Sequence, residues 1–174
     1  NPTFGSVSIY AADGDGSGTG NTSGSLYIEN NITVTGNWSN EVGEAGFTHN
    51  NKIVNFTGSG ATISGNNNFA EANFTGDNIQ LNGNNTITTA NFTGSGATIT
   101  GDNNFATANF KGSDTTISGN NSFEKFICQI DFDATESKII KFANDTLQTI
   151  TNELKLSGTK NYKLNLEGID ENAH

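Results

Sequence analysis

The chain contains no arginine and no methionine, and only one proline, one cysteine, one tryptophan and two histidines among 174 residues. Each scarcity closes off a class of function. Eight lysines face 18 acidic residues, a formal net charge of −10. No basic footprint is left for nucleic acid, which is therefore not expected as a partner. Electrostatic attachment to anionic lipid is disfavoured for the same reason. The lone Cys128 sits in the apolar run FICQI. It reads as a buried core thiol, with no partner for an intrachain disulfide and no zinc-ligand spacing around it. His49 and His174 have no serine, cysteine or carboxylate motif beside them, so no catalytic triad can be argued.

Long apolar runs are missing too. No stretch approaches the roughly 18 residues that begin to suggest a membrane-spanning helix, and no secretory signal is visible. Without an initiating methionine, the chain reads as a soluble segment of a longer protein. Its export signal or anchor is expected outside the segment, with no direct membrane insertion. Hydrophobic residues make up only 32% and the mean hydropathy is −0.46, a polarity that would suit disorder. The phasing of the 12 phenylalanines argues against that.

What is present in abundance is periodicity. Residues 52–123 are four consecutive 18-residue units without insertion or deletion: KIVNFTGSGATISGNNNF, AEANFTGDNIQLNGNNTI, TTANFTGSGATITGDNNF and ATANFKGSDTTISGNNSF. A short fixed period means each unit is a coil that cannot bury its apolar face alone, so coils must stack. Phe56, Phe74, Phe92 and Phe110 form an aromatic column. Ile63, Leu81, Ile99 and Ile117 form an aliphatic one, and Phe69, Ile87, Phe105 and Phe123 a third. Val54, Ala72, Ala90 and Ala108 precede the first column by two residues, and Ala61, Ile79, Ala97 and Thr115 precede the second likewise. A spacing of two puts both residues on one face of a strand, so each coil reads as about three short strands. Asn, Gly, Thr and Ser dominate the repeat, and no helical spacing of apolar residues persists through it. The predicted fold is all-β, a parallel β-helix with about 18 residues per coil.

The turn columns are equally regular. Gly58, Gly76, Gly94 and Gly112 follow the first strand; Gly65, Gly83, Gly101 and Gly119 follow the second. Glycine recurs where the chain needs positive φ or room for a missing Cβ. Asn55, Asn73, Asn91 and Asn109 make one polar column, and Asn67, Asn85, Asn103 and Asn121 make another. At a strand spacing of about 4.8 Å, such residues are expected to form hydrogen-bonded ladders that satisfy backbone at the bends; a polar ligand-binding face is the competing reading.

Outside the repeat the pattern loosens. Residues 1–25 read as an entry segment or cap edge, and 26–51 as irregular coils in which Trp38 takes the register of Phe56. Residues 52–123 are the regular coils and 124–174 read as irregular C-terminal coils, all in one solenoid domain. Exposed end coils are edge-strand hazards, which adjacent coils of a larger parent chain are expected to cover.

The stretches NITVTGNWSN…GFTHNNKIVNFTGSGATISGNNNF and SKIIKFANDTLQTITNELKLSGT, within residues 26–166, resemble repeats of large bacterial surface and secreted proteins. Those are right-handed parallel β-helices of the filamentous-haemagglutinin and autotransporter-passenger kind. The Gly/Asn/Thr turns that carry the resemblance recur in unrelated solenoids. Left-handed hexapeptide-repeat helices want a small aliphatic residue at every sixth position, whereas the aromatic and aliphatic columns here fall 7, 6 and 5 residues apart. The resemblance implies export to the bacterial surface and a structural or adhesive role as a stalk, or as a face for host-cell or matrix glycans and proteins. No catalytic, cofactor-binding or metal-binding residues are assigned, and an enzyme is not expected.

Local patterns offer little chemistry. Asp13-Gly-Asp15-Gly-Ser17-Gly18-Thr19-Gly-Asn21 matches the first half of a calcium loop, but Gly24 stands where a bidentate glutamate belongs. The expectation is a surface loop. Asp131 and Asp133, two apart, share a strand face and read as solvated. A carbohydrate-active β-helix, binding or cleaving polysaccharide, is the alternative function; a cluster of carboxylates with a lysine on one face would support it. Ice binding is a further alternative. The column Thr57, Thr75, Thr93 is broken by Lys111, and Thr62, Thr98, Thr116 by Gln80. Nine glycosylation sequons occur where roughly six would arise by chance among so many asparagines, and three come from one repeated column, so glycosylation is not strongly implied.

Overall fold

The computed structural model describes residues 1–10, 25–131 and 135–169. One 18-residue unit closes one turn of a parallel β-helix, and every strand pairing among the described residues is parallel. The chain alternates between two eight-stranded sheets. The first contains Thr3–Phe4, Ile32–Val34, Ile53–Phe56, Asn68–Phe74, Thr86–Phe92, Asn104–Phe110, Asn121–Gln129 and Gln148–Ser157. The second contains Val7–Ile9, Trp38–Asn40, Thr62–Gly65, Gln80–Leu81, Thr98–Ile99, Thr115–Ile117, Lys138–Phe142 and Leu164–Gly168. A two-stranded sheet pairs Leu26–Tyr27 with Phe47–Thr48. Eight layers at about 4.8 Å make a rod of about 35 Å.

The third strand expected in each regular coil does not stand apart. Phe69, Ala72 and Phe74 all point inward along Asn68–Phe74, although 69 and 72 would face opposite ways in a straight strand. Ala70 and Glu71 face outward in succession, so the strand turns a corner there while keeping its ladder. Two predicted strands thus merge into one bent seven-residue strand.

Inside, the repeat fixes the ring geometry. Phe56, Phe74, Phe92 and Phe110 stack nearly parallel, with centroids 5.3, 4.6 and 5.1 Å apart. These distances track the strand spacing because identical side chains in one rotamer must repeat at the backbone period. Trp38, Phe56, Phe69, Phe105 and Phe123 are fully buried. This narrow aromatic column gives a chain of low hydropathy its core.

The glycine columns divide by cause. Gly65, Gly83, Gly101 and Gly119 have φ between 82° and 101°, a region costly for any residue with a Cβ. Gly58, Gly76, Gly94 and Gly112 do not. There a Cβ would lie only 2.0–2.4 Å from a carbonyl oxygen of the preceding coil. The second set only lets coils approach; the first serves both ends, since a Cβ there would also lie 2.0–2.5 Å from a carbonyl oxygen of the preceding coil.

Trp38 does not take the register of Phe56. Val34 pairs with Phe56, a step of 22 residues, and Trp38 pairs with Ile63, a step of 25. Residues 41–52 lengthen the coil between them, with a 3₁₀ turn at Glu44–Gly46, the short strand Phe47–Thr48 that buries Phe47 in the core, and left-handed Asn50 and Asn51. Trp38 still points inward, but in the aliphatic column. Beyond the repeat the steps lengthen again: Ile117 pairs with Phe142, 25 residues on, and Cys128 with Leu156, 28 on.

Candidate binding faces

The two asparagine columns become two ladders with different surroundings. Asn67, Asn85, Asn103 and Asn121 are at most 2% exposed. Each Oδ1 from Asn85 onward accepts both the backbone N–H and the Nδ2 of the asparagine one coil earlier, at 2.9–3.1 Å. Each Nδ2 also donates to a turn carbonyl two residues back, for instance Asn103 to Gly101 at 3.1 Å. A backbone N–H can only donate, so it fixes which side-chain atom is oxygen and sets the polarity of the column. Both ends are closed by unlike residues. Trp38 Nε1 donates to Asn67 Oδ1 at 2.7 Å, joined by Asn40 Nδ2 at 3.2 Å. At the far end Asn121 Nδ2 donates to Gln148 Oε1 at 3.1 Å. Every buried amide is thereby paired, which the low dielectric of the interior demands. The ladder reading of this column holds.

Asn55, Asn73, Asn91 and Asn109 form the other ladder, on the outside and half-buried. Here each Nδ2 donates to the Oδ1 of the preceding coil at 2.8–2.9 Å, and Asn55 ends the run on the Ile32 carbonyl. Its polarity is opposite to that of the inner ladder. Beside it run Glu71, Thr89, Thr107 and Lys125, an outward column of mixed character.

A further ladder was not singled out from the sequence. The backbone N–H of Asn84, Asp102, Asn120 and Leu147 donates to the Oδ1 of Asn66, Asn84, Asp102 and Asn120 respectively, at 2.7–3.0 Å. The signal was available: an Asn or Asp recurs there every 18 residues from 66 to 120. In a neighbouring turn, Ser95 N–H donates to Asp77 Oδ1 and Asp77 N–H to Ser59 Oγ. Asp77 is thus a turn residue.

The short-strand sheet presents a second outer face. Thr62 and Ser64, Thr98 and Thr100, and Thr116 and Ser118 form outward hydroxyl pairs, interrupted by the amides Gln80 and Asn82. Several of these groups are already committed: Thr100 donates to Asn82 Oδ1, Ser64 to the Trp38 carbonyl and Ser118 to the Ile99 carbonyl.

One cleft brings both charge signs together. It is lined by Ser95, Lys111, Ser113, Asp131, Glu136 and Lys138, with Thr93 and Thr135 at its margin. Lys111 and Ser113 come from the last regular coil and Asp131 and Glu136 from the loop that follows the repeat. Lys138 is buried and donates from Nζ to the Gln129 carbonyl at 2.7 Å. Ser113 Oγ lies 3.5 Å from Glu136 Oε1. Burial pushes the Cys128 thiol above its ordinary pKa, and Lys138 pulls partly back.

The Asp13–Asn21 loop, Asp133 and His174 lie outside the described residues. His49 Nδ1 accepts the Asn51 N–H at 2.9 Å and acts as a turn cap. Among the described residues no group of three or more His, Cys, Asp or Glu side chains is placed to hold a metal ion. Among the described residues no helix is long and apolar enough to cross a membrane. No protein family, curated protein or solved structure compared with the chain matches it.

Proposed function

We propose that this chain is a stalk or adhesive segment of an exported bacterial surface protein, offering a stiff, repetitive polar face to host-cell or matrix glycans or proteins. The observation that carries the reading is the unbroken outer ladder from Asn55 to Asn109 with its adjacent hydroxyl and charged columns. Such a surface repeats one arrangement of donors and acceptors at each coil, so a polymeric ligand could meet it several times over. Multiple weak contacts then sum through effective concentration. The role is geometric rather than catalytic.

A second reading, a carbohydrate-binding or carbohydrate-cleaving β-helix, draws on the cleft of Lys111, Asp131, Glu136 and Lys138. Carboxylates and lysines side by side can accept from sugar hydroxyls and donate to sugar oxygens. An ice-ordering role for the Thr62–Ser118 face is the weakest reading, because Gln80 and Asn82 interrupt it.

Binding of the purified segment to a glycan and matrix-protein array, with and without calcium, tests these readings. Under the adhesive reading, binding survives Glu136→Gln and falls with Asn73→Ala combined with Asn91→Ala. Loss through Glu136→Gln alone moves the site to the cleft. Dependence on calcium implicates the Asp13–Asn21 loop. A blank array with a folded protein removes the adhesive role and leaves the stalk.

A further inference from the structure

The bent strands of the regular coils leave a groove on the side of the corner away from the outer asparagine ladder. Thr86, Asn104 and Ser122 follow one another in register along one rim. Thr88, Ala106 and Glu124 line the other at the same 18-residue step, with the buried Phe105 between the rims. The groove holds about 370 Å³, inside the range of roughly 300–1,000 Å³ usual for ligand sites. Both its ends are bounded by segments that break the 18-residue period. At one, Glu44 from the 41–52 insertion accepts the Thr86 hydroxyl at 3.0 Å. At the other, one extra residue in Gln148–Ser157 shifts the register between Phe123 and Lys125. Thr151 there donates to the Phe123 carbonyl, and Asn152 Nδ2 donates to Glu124 Oε1, both at 3.4 Å.

The chemistry of the lining narrows the ligand. The described residues that line the groove include no lysine, and its charges are carboxylates, Glu124 on a rim and Glu44 at an end. On a chain of formal net charge −10, these repel sulfated or uronate polymers. The polar groups that remain are hydroxyls, which both donate and accept, and the Asn104 amide, which does each from a separate atom. That inventory suits a ligand with many hydroxyls and no charge. The rims repeat about every 4.8 Å, close to the length of one ring in an extended sugar chain. A polymer laid along the axis therefore meets a comparable rim at each successive coil. We propose that the groove between Thr86 and Thr151 binds a linear, uncharged oligosaccharide lying along the rod. This site is on a different face from the outer ladder, so it goes beyond the adhesive reading and stands apart from what that ladder binds.

Titration of the isotope-labelled protein, followed by amide chemical shifts, tests the inference. The probes are uncharged β-linked glucose and N-acetylglucosamine oligosaccharides of increasing length, with an oligogalacturonate as the charged counterpart. Shifts are expected at residues 86–88, 104–106 and 122–124 and at Thr151. Affinity is expected to rise with length and level off once the sugar spans the groove. Ala106→Trp fills the groove from an outward position and is expected to weaken binding by about tenfold or more, as loss of a central contact does. Circular dichroism verifies that it folds, with Thr88→Trp taking its place if it does not. Asn73→Ala combined with Asn91→Ala is expected to leave this binding intact. If that pair abolishes it while Ala106→Trp does not, the sugar sits on the outer ladder, which upholds the adhesive reading and overturns this one. Tighter binding of the oligogalacturonate, or no shift with any uncharged oligosaccharide, also overturns it.

Discussion

The inner and outer asparagine ladders are built from the same side chain, at the same period, with bonds of the same length, and they differ in what lies around them. Asn67 to Asn121 are sealed from water, and each serves two donors and at least one turn carbonyl. Asn55 to Asn109 bond one another along a half-buried surface. Water can replace a lost partner outside and cannot inside. The difference teaches that a repeated column in a sequence announces geometry, while burial decides what each hydrogen bond is worth.

The largest expected effect therefore comes from the inner ladder. Asn103→Leu keeps the approximate size but removes the acceptor of two Asn85 donors and the donor to the Thr100 and Gly101 carbonyls. Several buried polar groups are orphaned at about 1–3 kcal/mol each, so a loss of roughly 3–5 kcal/mol is expected in urea unfolding. A loss under about 1 kcal/mol would mean that water reaches the inner column and the comparison is void.

Gly101→Ala comes next. Its φ is 91° and its Cβ would meet the Gly83 carbonyl oxygen at 2.4 Å. The conformational cost alone is about 1–3 kcal/mol, and the clash pushes Asn103 out of line. Coupling between Gly101→Ala and Asn103→Leu, measured in a double-mutant cycle, would show whether turn and ladder act as one unit.

Asn91→Ala on the outer ladder is expected to cost about 0.5–1 kcal/mol, because solvent satisfies Asn109 in its place. A cost equal to that of Asn103→Leu would erase the distinction between the columns.

The smallest effect concerns pH. Burial holds the Cys128 thiol protonated in the fold above its ordinary pKa. The raised folded pKa means the stabilisation is complete below the unfolded value near 9.0 and is lost as pH rises through the folded one. Wild type should lose stability more steeply than Cys128→Ala between neutral and alkaline pH, read as the difference between their thermal midpoints. Parallel curves would show that the thiol ionises freely in the fold.

The sequence made the architecture plain because the apolar columns and glycines recur without slippage from 52 to 123. It left the bend at Ala70 and Glu71 invisible, since two outward residues in succession look like the end of one strand and the start of another. It misplaced Trp38 because an aromatic 18 residues before Phe56 invites the repeat, while the loop at 41–52 breaks it. One turn column was hidden by its own chemistry. Gly60, Asn78, Gly96 and Asp114 look unrelated, yet all have φ between 56° and 74°. They are the residue types that tolerate the left-handed region. The cleft was illegible for a different reason. Lys111 and Ser113 share it with Asp131 and Glu136, which lie beyond the repeat, and no period encodes that.

The uneven pairing between layers has a mechanical meaning. Under tension applied along the rod the layers are loaded in series, so the joint with the fewest bonds yields first. The first layer is held by two, three and two paired positions, whereas Ile32–Val34 and Trp38–Asn40 hold to the next layer by three each. Among the described layers, opening thus starts just ahead of the regular repeat. Each regular coil that lets go exchanges about 4.8 Å of rod for roughly 60 Å of extended chain, which makes the molecule a ratcheted shock absorber whose weakest notch lies where the 18-residue period is broken.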